Sequence, residues 1–564
     1  MTKGRYPIVT TLDKNYDVIV VGSGATGSIA VKELTERGLD VLLLEAGRDI
    51  SEADFTPPDG KPASPFGMGL GPRINAAVHG QYMQARRAIF SPQVNAFLVN
   101  DRENPYTTPR GDRFLWIRGR LLGGRLHSYG RVLMRMSDYD FKAASIDGNG
   151  SDWPFSYSEL APYYDRVEEF TGIYGEQDGV PAIPDGKVSH PPKFTAAEKD
   201  FKERVESAWP DRRVISWRYA APNPHRVPLG ILAARKTGRL TTRTDAIVRK
   251  VTVNKKTGKA DGAVFIDRLT KAEHRVWADV VLLCASTIES VRILLNSACE
   301  GHQDGLGNSS GLLGRYFMDQ CPSLTVASIP HIRGYEVDDA APPDPFYAPA
   351  GGVFIPRFLN LNGRTTPGFA RGFSFQGSFG RIPVPEGLPA ACGMMGFGEM
   401  LPYYDNRITV DPRRADAWGI PVPRIRCAMT GNERALLREQ TRVIREIFDG
   451  NGYRLAFSGS QLGLDSRHVW PDSDPLSRLI FRLAFPRSLA IGASIHECGG
   501  ARMGDDPNKS VLNGFNQSWD VPNLFVTDAS CFVSGGSVGP TLTIMALTAR
   551  TCEYIAGQHA EGAL

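Results

Sequence analysis

The sequence predicts a two-domain α/β protein. One domain is wound around a parallel sheet, and the other is of α+β type on a largely antiparallel sheet. Three observations predict this. Tyr16 to Gly47 reads as a β-α-β unit with G-x-G-x-x-G at its first turn. The chain has 564 residues, too many for one core. From 330 to 480, short strands alternate with Gly/Pro turns, the pattern of an antiparallel sheet.

The β-α-β unit is built as follows. Tyr16 to Val21 is dominated by β-branched residues and reads as a buried central strand. It runs into Gly22-Ser23-Gly24-Ala25-Thr26-Gly27, then a helical period from Ile29 to Arg37 closed by Gly38. A second strand, Val41 to Leu44, ends in Glu45-Ala46-Gly47. Gly22 permits the tight turn, Gly24 lets backbone approach a pyrophosphate on the positive end of the helix, and Gly27 lets helix and strand pack closely. Glu45 stands where a carboxylate takes ribose hydroxyls. The strand before, the helix after and the acid beyond together make this a Rossmann-like dinucleotide site rather than a plain glycine turn. On these residues alone the dinucleotide is NAD or FAD.

Composition excludes several classes. Hydrophobic content of 42%, charged content of 22% and a net charge of +4 are ordinary for a globular protein and give no nucleic-acid surface or anionic-membrane footprint. The first residues carry no apolar leader and no run is long enough to span a bilayer, so the sequence predicts a cytoplasmic protein. Eight scattered cysteines form no C-x-x-C and no zinc spacing, so free thiols and no metal are expected.

Along the chain, 51–112 breaks the α/β rhythm and reads as an irregular insertion, a lid or an oligomer contact. Phe114 to Met136 carries Arg118, Arg120, Arg125, Arg131 and Arg135 around Gly123-Gly124. It reads either as a solvated loop with surface arginines or as a backbone-exposing turn laid against a cofactor, with cations for its phosphates. Ser156-x-x-Glu159 is a capping box opening a helix whose face of Tyr163, Val167 and Phe170 is structural. Residues 180–195 read as linker. Strands are expected over Thr241–Val253, Lys259–Leu269 and Trp277–Ala285, then a helix over Ile288–Asn296. In the second domain Glu433–Phe448 is one amphipathic helix.

The C-terminal end holds a dense signature: Ser494-Ile495-His496-Glu497-Cys498-Gly499-Gly500-Ala501-Arg502-Met503-Gly504, then Asn523 to Ser530, then Gly539-Pro540-Thr541-Leu542-Thr543. With Arg120 to Gly124, Asp152 to Tyr157, Leu283 to Leu294 and Gly307 to Arg315, these segments resemble the glucose-methanol-choline (GMC) oxidoreductases. The closing P-T-L-T and the Trp-Pro segment are most similar to the pyranose-oxidase branch, and within it to bacterial glycoside 3-oxidases.

The resemblance implies FAD as cofactor, held by Gly22, Gly24, Ala25, Thr26, Gly27, Glu45, Arg120, Gly123, Gly124, His127, Ser128, Val248, Ala285, Asp528, Ala529, Pro540 and Thr541. It implies an FAD domain of 12–50, 113–135, 195–330 and 486–564, and a substrate domain of 136–194 and 331–485. His496 matches the family's catalytic histidine, a base titrating near neutral pH. Gly539 and Gln320 are assigned to the substrate side. The family's second catalytic residue, His or Asn, directly precedes P-T-L-T; here Gly539 stands there, a departure that opens space beside the flavin. Some relatives attach FAD covalently through a histidine after Gly-Gly. His127 follows one residue sooner, so a non-covalent flavin is expected. The implied reaction oxidises a secondary hydroxyl of a sugar or glycoside, favoured at carbon 3, with oxygen reduced to hydrogen peroxide. Its alternatives are a dehydrogenase using a quinone or cytochrome, and a non-catalytic flavin-binding protein.

Overall fold

A computed structural model describes residues 14–564 apart from 57–69, 89–91, 337–339, 343, 345, 348–349 and 466–474. Two large sheets, each of seven strands among the described residues, organise it. In the first, Leu240–Arg243, Val41–Leu44, Asn15–Val21 and Glu273–Leu283 lie side by side in parallel. Leu524–Val526 joins the far side of Glu273–Leu283. Strands buried on both faces are apolar throughout, which is why Val18 to Val21 and Val41 to Leu44 read as unbroken hydrophobic runs. The helix Ala25–Glu36 covers one face and packs on the C-terminal helix Thr541–Ala560. The helix after the glycine turn thus meets the helix Thr541–Ala560.

The β region between 240 and 286 differs in detail from the sequence reading. The run expected as Thr241–Val253 breaks into Leu240–Arg243 and Ala246–Val253. Asp245 takes positive φ of 58° there, and its N–H donates to the Gly47 carbonyl at 2.7 Å. The strand expected from Trp277 starts at Glu273, because its polar first half pairs antiparallel with Ala260–Asp267.

The second sheet is antiparallel throughout, in the order Gly463–Asp465, Arg454–Ser460, Gln320–Arg333, Pro389–Glu399, Phe373–Ile382, Val353–Ile355 and Ile215–Ser216. The amphipathic helix Gly431–Gly450 covers its back, burying Leu436, Val443, Ile444 and Ile447 against Phe373, Phe375 and Phe379. Two boundaries drawn from sequence are corrected. The division at 330 falls inside Gln320–Arg333, and the helix Ala196–Ala208 with Ile215–Ser216 belongs to the antiparallel sheet, where Phe201 stacks on Phe379. Conversely the helix Tyr157–Thr171, opened by the Ser156/Glu159 capping box, packs on Thr541–Ala560 and so joins the nucleotide side.

The insertion is not irregular throughout. Its described part holds the helix Leu70–Val78 and is pinned by Gln84, which donates to Asp101 at 2.7 Å and to the Trp116 carbonyl at 3.1 Å. Of the stretch Asp54 to Gly71, rich in proline and glycine, residues 57–69 lie outside the described residues. The eight cysteines are free, and no described helix is long and apolar enough to cross a membrane.

Candidate active site

The nucleotide end is assembled from three loops. Gly22 sits at φ 98°, and a Cβ there would stand 2.4 Å from the Cys284 carbonyl oxygen. A Cβ on Gly27 would stand 1.8 Å from the Gly22 oxygen. Gly24 instead faces open space, and a Cβ on Gly124 would lie 3.6 Å from the Gly24 Cα, so the two glycine loops line one slot. The helix beginning at Ala25 has no side-chain cap, leaving the first-turn amides of Ala25, Thr26 and Gly27 aimed at that slot. An uncapped helix start facing open space beside two glycines suits a pyrophosphate.

Glu45 is buried, and accepts from the Ser23 N–H at 3.1 Å and the Gly47 N–H at 2.8 Å. Burial raises its carboxyl above the ordinary range. Ser23 Oγ receives the Gly123 N–H at 2.9 Å, tying the second loop to the first. Val248 lies on the strand whose Ala246 N–H donates to the Glu45 carbonyl at 2.9 Å, and Ala285 lies directly behind Gly22. Asp528 is a buried hub accepting from Ser290, from Ser530 N at 3.0 Å and from Ser530 Oγ at 2.6 Å. The Ala529 carbonyl receives the Gly499 N–H at 2.9 Å. Pro540 caps the C-terminal helix, and Thr541 begins it.

The arginines read as phosphate cations are otherwise engaged. Arg120 pairs with Glu289 at 2.7 Å, Arg135 is buried against Glu168 and Asp165, and Arg118 donates to the Asn104 carbonyl and stacks on Trp116. Arg125 bridges Glu497 at 2.9 Å and Ser286 Oγ at 3.0 Å. The partners of Arg120, Arg125 and Arg135 lie far off in sequence, so composition alone did not reveal them. His127 is buried among Phe55 and Phe97, with Nε2 2.8 Å from the Leu122 carbonyl; Ser128 turns back onto the Arg125 carbonyl at 3.3 Å.

Arg125, next to Gly124, ties the second glycine loop to the segment that carries His496. The His496 N–H donates to Asp319 at 3.1 Å, its Nδ1 lies 2.6 Å from Gln320 Oε1, and its ring lies 5.2 Å from that of Phe397. Removal from water, then the Arg125 charge, lowers its pKa to about 3, so the ring is neutral over the physiological range. Asp319 also accepts from Gly492 N at 2.6 Å and Ser494 Oγ at 2.8 Å; burial, then the nearby Glu497, pushes it up to about 7. A Cβ on Gly539 would stand 3.4 Å from His496 Nε2, so the position where the family carries its second residue does adjoin the imidazole. The structure corrects the place given to Gln320. Its side chain is wholly buried, and its amide nitrogen donates to the Gly536 and Val538 carbonyls at 2.8 Å each. It serves His496 and the loop before Gly539 rather than facing a substrate.

One residue was missed. Phe373, Phe375 and Phe379 face the helix Gly431–Gly450, so Ser374, Gln376 and Ser378 face the opposite side. That side is the active-site side, since Ser374 Oγ donates to the Ser537 carbonyl. Gln376 pairs across the strand with Met395 and lies one row from Phe397, and no hydrogen bond engages its amide among the described residues. The alternation F-S-F-Q-G-S-F carried this signal, a polar row with Gln376 and Ser378 half-buried on the face away from the helix.

The chain matches two family models, one described as GMC oxidoreductase over 402–548 and one as NAD(P)-binding Rossmann-like domain over 20–84. It is 29% identical to 2-methyl-1,2-propanediol dehydrogenase of Mycolicibacterium austroafricanum, over 98% of this chain and 97% of the relative. It is 26% identical to paromamine 6'-oxidase of Streptomyces fradiae, over 97% and 92%. It is 24% identical to C-glycoside 3-oxidase of Arthrobacter globiformis, over 99% and 96%. A variant structure of formate oxidase from Aspergillus oryzae superposes with a TM-score of 0.65 at 15% identity, covering 98% of this chain and all of that one, which shows the shared fold.

Proposed function

Because the chain belongs to the GMC oxidoreductases, enzymes that bind FAD and act on CH–OH groups, we propose that it oxidises a secondary hydroxyl of a sugar or glycoside, favoured at carbon 3, with oxygen as acceptor and hydrogen peroxide as product. The observation that carries this is that a side chain is missing at Gly539 beside His496 Nε2, on the loop that Ser374 of the antiparallel sheet holds through the Ser537 carbonyl. Gly539 leaves space beside Nε2, while Gln376 offers an unengaged amide. That pairing of space with a polar contact suits a bulky polyol better than a small apolar alcohol.

FAD, when bound, supplies the two-electron acceptor. Gly24, Gly124 and the amides of Ala25 to Gly27 would hold its pyrophosphate, and Glu45 its ribose. His496 receives the hydroxyl proton at a neutral ring nitrogen, the role of a general base. Phe397 packs beside that ring, 5.2 Å away. The buried His127, whose Nε2 faces a backbone carbonyl, supports non-covalent attachment. Flavin should therefore be released by acid; flavin precipitating with the protein would overturn this.

A dehydrogenase passing electrons to a quinone or cytochrome is the second reading, favoured in its first part by the relative named as a dehydrogenase. An anaerobic flavin-reduction screen over monosaccharides, O-glycosides and C-glycosides tests the substrate class. Oxygen consumption with the best substrate then separates oxidase from dehydrogenase. No bleaching by any polyol would sink the proposal.

A further inference from the structure

We propose that Gln320 is a positioning residue that sets the tautomer of His496, placing its proton on Nδ1 and its lone pair on Nε2, toward Gly539. This rests on His496 being the base. Gln320 is the first residue of the strand Gln320–Arg333, and its side chain is wholly buried. One end of its amide faces the Gly536 and Val538 carbonyls, both at 2.8 Å. Carbonyl oxygens only accept, so that end is the NH₂ group and the orientation of the amide is settled by its partners. The other end, the amide oxygen, lies 2.6 Å from His496 Nδ1. An amide oxygen also only accepts, so Nδ1 must bear the hydrogen. In a neutral imidazole Nε2 is then left with a lone pair.

Geometry gives that lone pair its direction. Nε2 lies 3.4 Å from where a Gly539 Cβ would stand. A substrate hydroxyl there loses its proton to Nε2, the O–H electron pair staying on oxygen, while the Nδ1–H remains donated to Gln320. The two amide hydrogens do a second thing. They fix the carbonyls of Gly536 and Val538, so the loop bearing Gly539 is held in register with the imidazole. One side chain, more than 170 residues from its histidine in sequence, thus sets both the proton's position and the width of the gap it faces.

The other charged groups around the ring are Arg125, Asp319 and Glu497. Asp319 accepts the His496 backbone N–H, and Glu497 is paired with Arg125. None of them contacts a ring nitrogen, so none replaces Gln320 in choosing the tautomer.

Two variants and one spectroscopic measurement test this on the FAD-loaded enzyme. Gln320→Leu removes the acceptor. Flavin reduction should slow by at least about 10-fold and at most about 10⁴-fold, the range between losing a supporting hydrogen bond and adopting the wrong tautomer. KM should change little. Gln320→Glu keeps an acceptor for Nδ1–H but adds a negative charge beside it. The imidazolium becomes easier to form, so the acid limb of the pH profile should move up by at least one unit, with activity lost as pH falls through it. The readout independent of turnover is ¹⁵N NMR of histidine-labelled enzyme, with His496→Asn identifying the signal. A neutral ring protonated at Nδ1 is expected in the wild type. A ring protonated at Nε2 would overturn the proposal even if no substrate had been found, as would an unmoved acid limb in Gln320→Glu. Wild-type flavin that no polyol reduces, with the Nδ1–H signal present, would instead count against the proposed reaction alone.

Discussion

Gly539→Asn restores the residue type the family carries before P-T-L-T and distinguishes two meanings of the glycine. Gly539 is half-buried and does not adopt a left-handed φ, so a side chain brings no backbone strain. Its Cβ would meet His496 Nε2 at 3.4 Å and Cε1 at 3.6 Å, ordinary contact distances. Gly539→Ala should therefore fold, keep its flavin and serve as the control. The asparagine amide begins one bond further out and occupies the space beside Nε2. If that space admits a large aglycone, Asn removes it. A methylene-sized change in a pocket shifts discrimination by about 1–3 kcal/mol, roughly 10- to 200-fold in kcat/KM. Glycosides should fall by that factor while free sugars change only a few-fold. If the glycine is instead a lost hydrogen-bond partner, the new amide stabilises the developing alkoxide and every substrate gains. Stopped-flow flavin reduction with matched pairs of a monosaccharide and its aryl glycoside measures the ratio directly. Equal gains on both would refute the steric account.

Three other outcomes follow from the geometry. His496→Ala should slow flavin reduction by roughly 10²–10⁴-fold with flavin content unchanged, since the slot lined by Gly24 and Gly124 lies apart from it; an unaltered rate removes the assignment. Because the pKa of His496 is lowered to about 3 and that of Asp319 raised to about 7, any inflection of the wild-type reduction rate near neutrality should come from Asp319 and vanish in Asp319→Asn, the histidine limb being reached only as pH approaches 3; an inflection near neutrality that survives Asp319→Asn would refute the neutral base. Glu45→Ala takes from the ribose hydroxyls the carboxylate proposed to accept them, a loss of about 1–3 kcal/mol that weakens flavin retention roughly 5- to 150-fold on dilution; full occupancy would disprove the ribose assignment.

The parts legible in the sequence were those whose physics is local. Tyr16 to Gly47 announces itself because a tight turn, an uncapped helix start and a strand-end acid all fall within one short stretch. Val41–Leu44 emerges with the boundaries its hydrophobic run predicts, and the capping box at Ser156 does what its spacing predicts. What failed depends on distant partners. The arginines between 118 and 135 looked like a phosphate patch, but the fold spends most of them on Glu168, Glu289 and Glu497. Asp245 breaks a strand because Gly47, nearly two hundred residues earlier, takes its hydrogen bond. The identity of Gln320 was plain, and its role was not, because the role lies in which groups meet the two ends of its amide.

The site is therefore best understood as a junction between segments that the chain brings together from afar. Two non-glycine residues there hold backbone conformations that side chains disfavour: Ile495 at φ 62°, immediately before the base, and Ser286 at φ 77°, at the start of the helix Thr287–Asn296. A β-branched residue in the left-handed region is strained, and such strain persists only where surroundings over-determine it. Arg125 supplies that constraint. Its guanidinium lies 3.4 Å from the Ile495 carbonyl, 3.0 Å from Ser286 Oγ and 2.9 Å from Glu497. One cation from the second glycine loop thus clamps both strained positions while its field helps keep His496 uncharged. The arginine that the sequence offered as a phosphate ligand earns its place by holding the histidine loop in the one conformation that turns Nε2 toward the gap left by Gly539.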